Sequence, residues 1–316
     1  MNIISVSRRT DVPAFYSTWF MNRVREGRVR YANPFGGQQY EVSLLPEDVH
    51  AFVFWSKDYK PMIKHLTELE SRGYDFYFHF TITGLSALGG LFEGHVPPAK
   101  EAIKTFKMLS ERYGQKRVIW RFDPIIISNI TGPDYYKAIF TEIAAHLKGA
   151  TERCYFSFVC LYEKVRKNLL KLARPKNGGF TKSAQHVICT DPDRTFKISL
   201  ANDLADIAGK YGITLYSCCG DYLVSDRIKK AQCIDGELLY TLFPHKPKQT
   251  KVNPTRKECG CVVSRDIGAY DTCPHGCIYC YANINKALAY KRYSAHNPGA
   301  DMLYNTEGSL PVDGEG

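Results

Sequence analysis

Six times along the chain a short apolar run, rich in β-branched and aromatic residues, is followed by a stretch of helical character. This alternation constrains the fold more than any other feature. Consecutive strands joined by helical crossovers lie parallel in one sheet. The runs cover residues 3–7, 51–56, 75–83, 117–122, 154–159 and 213–218. Between them the pattern predicts helices over 15–26, 61–72, 98–113, 134–147, near 163–172, and 194–211. Gly27, Gly73, Gly114 and Gly212 stop four of these helices, and Pro61 and Pro98 start two. Residues 29–31 and 40–44 read as a hairpin around a loop at 33–39, and 175–191 as a longer loop. The six runs are almost continuously apolar, as expected of strands buried on both faces. The expected fold is α/β, with residues 1–218 forming a partial (β/α)6-type barrel of parallel strands.

Beyond Cys218 the periodicity weakens. Residues 219–293 read as a cysteine-rich segment, and 294–316 as a mobile acidic tail with four acids and no base from Asp301 onward. No run of 18 apolar residues exists, which argues against a membrane span. The opening "MNIISVSRRTD" lacks a signal segment. A cytoplasmic location is expected, where thiols stay reduced, so the eleven cysteines read as metal ligands rather than disulfides. The net charge is +10, and between His245 and Tyr293 nine basic residues face three acids. Such a segment attracts nucleic acid or a small anion, or offsets bound thiolates.

In β/α folds functional groups gather at the C-terminal ends of the strands. Arg8, Arg9 and Asp11 follow the first run, and Ser56, Lys57 and Asp58 end the second. His79 and Thr81 lie on the third, Arg121 and Asp123 on the fourth, Cys160 and Tyr162 after the fifth, and Cys218 after the sixth. Guanidinium forks match carboxylate and phosphate. Arg8, Arg9, Asp11, Lys57, Arg121 and Asp123 are therefore candidates for binding an anionic cofactor or substrate. A structural ion-pair network is the alternative role for each.

The cysteines carry the sharper signal. Cys273, Cys277 and Cys280 are spaced C-x3-C-x2-C in "YDTCPHGCIYCYAN". A zinc ribbon would show paired C-x2-C knuckles, and only one is present. Three thiolates around one 4Fe-4S cluster leave its fourth iron open to an outside ligand. Upstream, one of Cys218 and Cys219 makes four thiolates with Cys233, Cys259 and Cys261. Four would close an auxiliary cluster, or hold a structural zinc. Cys154, Cys160 and Cys189 are expected as free core thiols, and His275 as a turn residue or a partner of the cluster.

The spacing C-x3-C-x-aromatic-C, with Tyr279 as the aromatic, resembles that of the radical S-adenosylmethionine (SAM) superfamily. The string "HGCIYCYA" is similar to spore photoproduct lyase-like members. "SRRTD-PAFY" near the start, with "CGCVVSRDIGAYDTCPHGCIYCYAN" late in the chain, resembles a family of uncharacterised bacterial proteins. That family is a domain of unknown function noted for a radical-SAM-like C-terminal cysteine cluster. The resemblance runs from Ile3 to about Asn283. It departs from the superfamily in placing the motif after all six β/α units, so the segment is expected to fold back over the barrel mouth. It implies a 4Fe-4S cluster on Cys273, Cys277 and Cys280, with SAM chelating the open iron. Reductive cleavage would then give methionine and a 5′-deoxyadenosyl radical. An electron donor such as flavodoxin or ferredoxin is implied. The protein is expected to be a monomer acting on a small molecule or a nucleic acid. Two other classes stay open: a zinc- or cluster-bearing nucleic-acid-binding protein without SAM chemistry, and a β/α-barrel lyase or hydrolase with structural cysteines.

Overall fold

Eight strands form one parallel sheet. They are β1 (Asn2–Val6), β2 (Val49–Ser56), β3 (Phe76–Thr81), β4 (Val118–Ile125), β5 (Arg153–Phe158), β6 (Thr214–Ser217), β7 (Ile228–Lys230) and β8 (Arg265–Asp266). In space they run β7-β6-β5-β4-β3-β2-β1-β8. Each strand from β2 to β7 thus lies beside its predecessor, while β8 returns to the outer edge of β1, pairing Ile4 with Arg265 and Ser5 with Asp266. Among the described residues no pairing joins the edge strands β7 and β8. The structure, a computed structural model, describes residues 1–34, 36–173, 186–283 and 285–304. Most of the loop expected at 175–191, and the tail beyond 304, lie outside these residues.

The parallel α/β architecture agrees with the sequence pattern, and the six expected runs supply β1 to β6. The two further strands come from residues 219–293. They are three and two residues long, too short to carry a period. The expected hairpin is present, with Arg28–Ala32 antiparallel to Gln39–Ser43.

Alternation along the strands assigns the two faces. Phe52 and Phe54 of β2, Phe76, Phe78 and Phe80 of β3, and Trp120 and Phe122 of β4 share one core. Five helices cover that face: α1 (Ser17–Glu26), α2 (Lys60–Ser71), α3 (Ala99–Tyr113), α4 (Pro133–Leu147) and, after the shorter α5 (Glu163–Leu170), α6 (Arg194–Lys210). Each fully buried ring on this face stabilises the fold by about 2 kcal/mol. On the opposite face Ile3, Ala51, Val53, Tyr77, Ile119 and Tyr155 pack under residues 231–262. That stretch includes α7 (Gly236–Leu242), whose first turn is capped by the Asp235 carboxylate. A third apolar cluster joins Val165 and Leu169 of α5 to Leu85, Phe92, Ile126 and Ile278. It fixes the C-x3-C-x2-C loop at the strand ends, just before α8 (Lys286–Ser294). Residues near the tail are also packed: Trp19 donates to the Ala300 carbonyl at 2.9 Å, and Met302 and Leu303 are buried. Among the described residues no helix is long and apolar enough to cross a membrane.

Candidate functional site

On the face under residues 231–262, the strands turn from apolar to polar toward their C-terminal ends. Val53 gives way to Trp55, Tyr77 to His79, Ile119 to Arg121 and Asp123, and Tyr155 to Ser157. Trp55 is the hub. The Arg8 and Arg121 guanidiniums lie 5.9 and 5.2 Å from its ring centroid, and His79 stacks on it at 4.3 Å. Cation–π contact of this kind holds both arginines at the strand ends. Burial, and then Arg121, push the His79 imidazole well below its usual range, so the ring is neutral. Its Nε2 lies 2.6 Å from the Cys233 carbonyl, whereas its Nδ1 and the Trp55 Nε1 are buried without a partner.

Arg8 and Arg9 converge on one carboxylate, Asp266 of β8, at 3.7 and 4.0 Å. Asp266 also accepts from the Ser5 and Ser7 hydroxyls and from the Arg8 and Gly268 amides. Asp11 is equally engaged. It accepts from the Ala14 amide, the Ser56 hydroxyl at 2.7 Å and the Lys57 amide at 2.8 Å. Its Oδ2 lies 2.7 Å from Nε2 of His275, inside the cysteine motif. The other ring nitrogen of His275 lies 3.0 Å from the His95 carbonyl. His275 therefore ties the motif to the strand ends rather than merely turning the chain.

The motif loop encloses one buried cysteine, Cys277, and two half-buried ones, Cys273 and Cys280. Gly276 sits at φ +68°, a conformation open to glycine, and turns the chain between Cys273 and Cys277. The Asn283 side chain donates to the Cys273 carbonyl at 2.6 Å, and the Ile278 amide to Phe92 at 2.9 Å. Burial pushes all three thiols up, Cys277 to about 12, with Lys57 opposing the rise there. Lys164 and Lys57 pull in the same direction at Cys280. Beneath the loop, Lys57 reaches Glu93 at 2.7 Å. Glu93 is buried and also accepts from Thr83 at 2.9 Å and from the Tyr279 hydroxyl. Burial alone would raise its carboxyl, but Lys57 and these hydroxyls hold it below the usual carboxylate range. A cavity of about 460 Å³ opens beside Ile278, lined by Asn168, Lys171, Asn285 and Lys286.

The second cysteine set is brought together as well. Cys218 and Cys233 are 3.4 Å apart, and Cys219, Cys259 and Cys261 adjoin them. Arg121 donates to Cys233 at 3.1 Å and pairs with Asp123, which the Ser157 hydroxyl also binds. Of the thiols expected as core residues, Cys154 is buried, Cys189 is half-buried and Cys160 is exposed. Cys160 follows the end of β5, where the chain has already left the sheet. Among the described residues no group of three or more His, Cys, Asp or Glu side chains is already arranged to hold a metal ion.

The chain matches the family described as "Domain of unknown function (DUF1848)" over residues 3–282. It belongs to that family. The match spans both cysteine sets and every strand of the sheet, so in this DUF1848 member the late motif is part of the domain. No curated protein matches the chain. All six candidate strand-end residues line the region described above: Arg8, Arg9, Asp11, Lys57, Arg121 and Asp123. Sequence reasoning missed Glu93, Asp266 and Arg256, whose guanidinium donates to Cys219 and Cys218. Asp266 had a signal in "VSRDIG", as one of three acids in a basic segment. Glu93 had none.

Proposed function

We propose that this chain is a radical SAM enzyme. The observation that carries the proposal is the C-x3-C-x2-C loop, whose three sulfurs, Cys277 buried and Cys273 and Cys280 half-buried, sit at the C-terminal ends of a parallel sheet with Lys57 and Lys164 nearby. The donor set fits a 4Fe-4S cluster, since three thiolates leave one iron for a further ligand. When bound, cluster and SAM supply one-electron cleavage of SAM to methionine and a 5′-deoxyadenosyl radical. The chain's own residues position and enclose that chemistry. Asp11 and His275 lock the loop to β1 and β2. Lys57, held by Glu93, offsets thiolate charge at Cys277. Arg8 and Arg121 on the Trp55 ring, and Arg9 on Tyr270, place positive charge at the strand ends suited to an anionic group.

On this reading the open sheet is a partial barrel, and the cysteine motif loop within residues 219–293 lies over its mouth. The protein works as a cytoplasmic monomer and takes its electron from a flavodoxin or ferredoxin. The cavity beside Ile278, with Lys171 and Lys286 in its lining, suits an anionic small molecule.

The test is direct. The protein is purified without oxygen, loaded with iron and sulfide, and reduced in the presence of SAM. 5′-Deoxyadenosine is expected, and Cys277→Ala should reduce it to background. A chain that holds about four irons on the triad yet yields none overturns the proposal.

A further inference from the structure

Five thiols outside the triad gather at the ends of β5 and β6. Cys218, Cys219, Cys233, Cys259 and Cys261 come from three separated stretches, yet each sulfur meets two others of the set. Cys218 meets Cys219 and Cys233, the latter at 3.4 Å. Cys219 also meets Cys259, and Cys261 meets both Cys233 and Cys259. The contacts close a ring.

Donors converge on that ring. Arg121 Nη1 lies 3.1 Å from Cys233 Sγ. Arg256 Nε lies 2.9 Å from Cys219 Sγ, and its Nη2 3.3 Å from Cys218 Sγ. The Ile234 amide donates to Cys261 at 3.4 Å. Guanidinium and amide donors of this kind are the partners that metal-bound thiolate sulfur accepts from.

The backbone is strained at the same place. Cys219, Glu258 and Asp271 have φ of 55°, 64° and 54°, and they are the non-glycine residues with positive φ among those described. Two of the three lie at the ring: Cys219, a member of it, and Glu258, the residue before Cys259. Along an extended strand, neighbouring side chains point to opposite sides. The left-handed turn at Cys219 brings both adjacent sulfurs into one ring. Such a turn is unfavourable for a residue with a Cβ, and it persists where the surroundings require it.

We propose that Cys218, Cys219, Cys233, Cys259 and Cys261 form a second, thiolate-ligated metal centre, separate from the triad, in which four sulfurs bind the metal and Arg121 and Arg256 donate to them. Four thiolates fill the tetrahedron of one zinc ion or close one iron–sulfur cluster. Zinc–sulfur bonds of 2.3 Å give tetrahedron edges of about 3.8 Å, near the Cys218–Cys233 separation of 3.4 Å. Five sulfurs for four positions leave one spare, and the neighbours Cys218 and Cys219 substitute for one another. The centre does not depend on SAM chemistry.

The test uses the full chain with Cys273, Cys277 and Cys280 all changed to Ala. It is loaded either with zinc alone or with ferrous iron and sulfide, then passed over a chelating resin. Retention of about one zinc, or of about four irons with sulfide and visible charge-transfer absorption, supports the centre and identifies its class. Cys218→Ser or Cys219→Ser alone should keep the metal. The double variant, and Cys259→Ser with Cys261→Ser, should lose it. No retained metal, or retention in either double variant, overturns the proposal. If the double variants fail to fold, alkylation of the metal-loaded wild-type chain decides. Four thiols of this set should be shielded until the metal is stripped, and unchanged labelling overturns the proposal. The triad's fate is read separately by 5′-deoxyadenosine.

Discussion

Asp11 gathers four donors on one buried carboxylate: the Ala14 and Lys57 amides, the Ser56 hydroxyl and His275. Removing it strands all four. Asp11→Ala is expected to cost about 3 kcal/mol of stability in urea unfolding. A double-mutant cycle with His275→Ala should show coupling of about 1–3 kcal/mol, and additivity would mean the contact is incidental. Asp11 was legible because it follows a strand end, where a parallel sheet exposes polar groups. Its partner His275 was legible only as part of the motif, since nothing in a sequence says which distant carboxylate a histidine meets. Glu93 was not legible at all. It lies in "GGLFEG", a glycine-rich stretch without period, and its role comes from Lys57 and Tyr279 arriving from elsewhere.

At the level of elements, α7 depends on close approach. A Cβ on Gly236 would lie 2.0 Å from the Gln249 carbonyl oxygen, a backbone atom that cannot swing aside. Gly236→Ala should therefore destabilise by about 2 kcal/mol or more. Gly209 in α6 has nothing within 4 Å of the same position, so Gly209→Ala should leave stability unchanged or raise it by about 0.5–1 kcal/mol. Chemical denaturation of the two variants side by side tests both. The long helices and β1 to β6 were legible because amphipathic and apolar runs repeat over enough residues to reveal their period. Neither β7 nor β8 could be, because their pairing is decided by the edges of a sheet that has to exist first.

At the level of the whole molecule, buried histidines tie stability to pH. His50 is buried with both ring nitrogens unpartnered, and burial, then Lys246, lower its pKa from 6.5 to about 4. Unfolded, the ring takes up its proton near pH 6.5; folded, only near 4. Between those values the unfolded chain binds more protons. The contribution of His50 is complete above pH 6.5 and is lost as pH falls toward 4, a change of about 3 kcal/mol. His50→Gln should flatten the acid limb of stability measured between about pH 7 and about pH 4.5.

The pairing of β8 with β1 sets a timetable. Ser5 and Asp266, which hydrogen-bond at 2.8 Å, are 261 positions apart. A ribosome adding 5–20 residues per second needs roughly 13 to 50 seconds to span that interval. Throughout it the outer edge of β1 is bare, with Arg8 and Arg9 lacking their carboxylate, and β2 to β6 all emerge before it ends. The thiol loop then emerges onto a sheet that is largely folded. Newborn chains are thus most exposed to edge-to-edge association just before Asp266 appears, and any metal at Cys273, Cys277 and Cys280 is loaded afterwards.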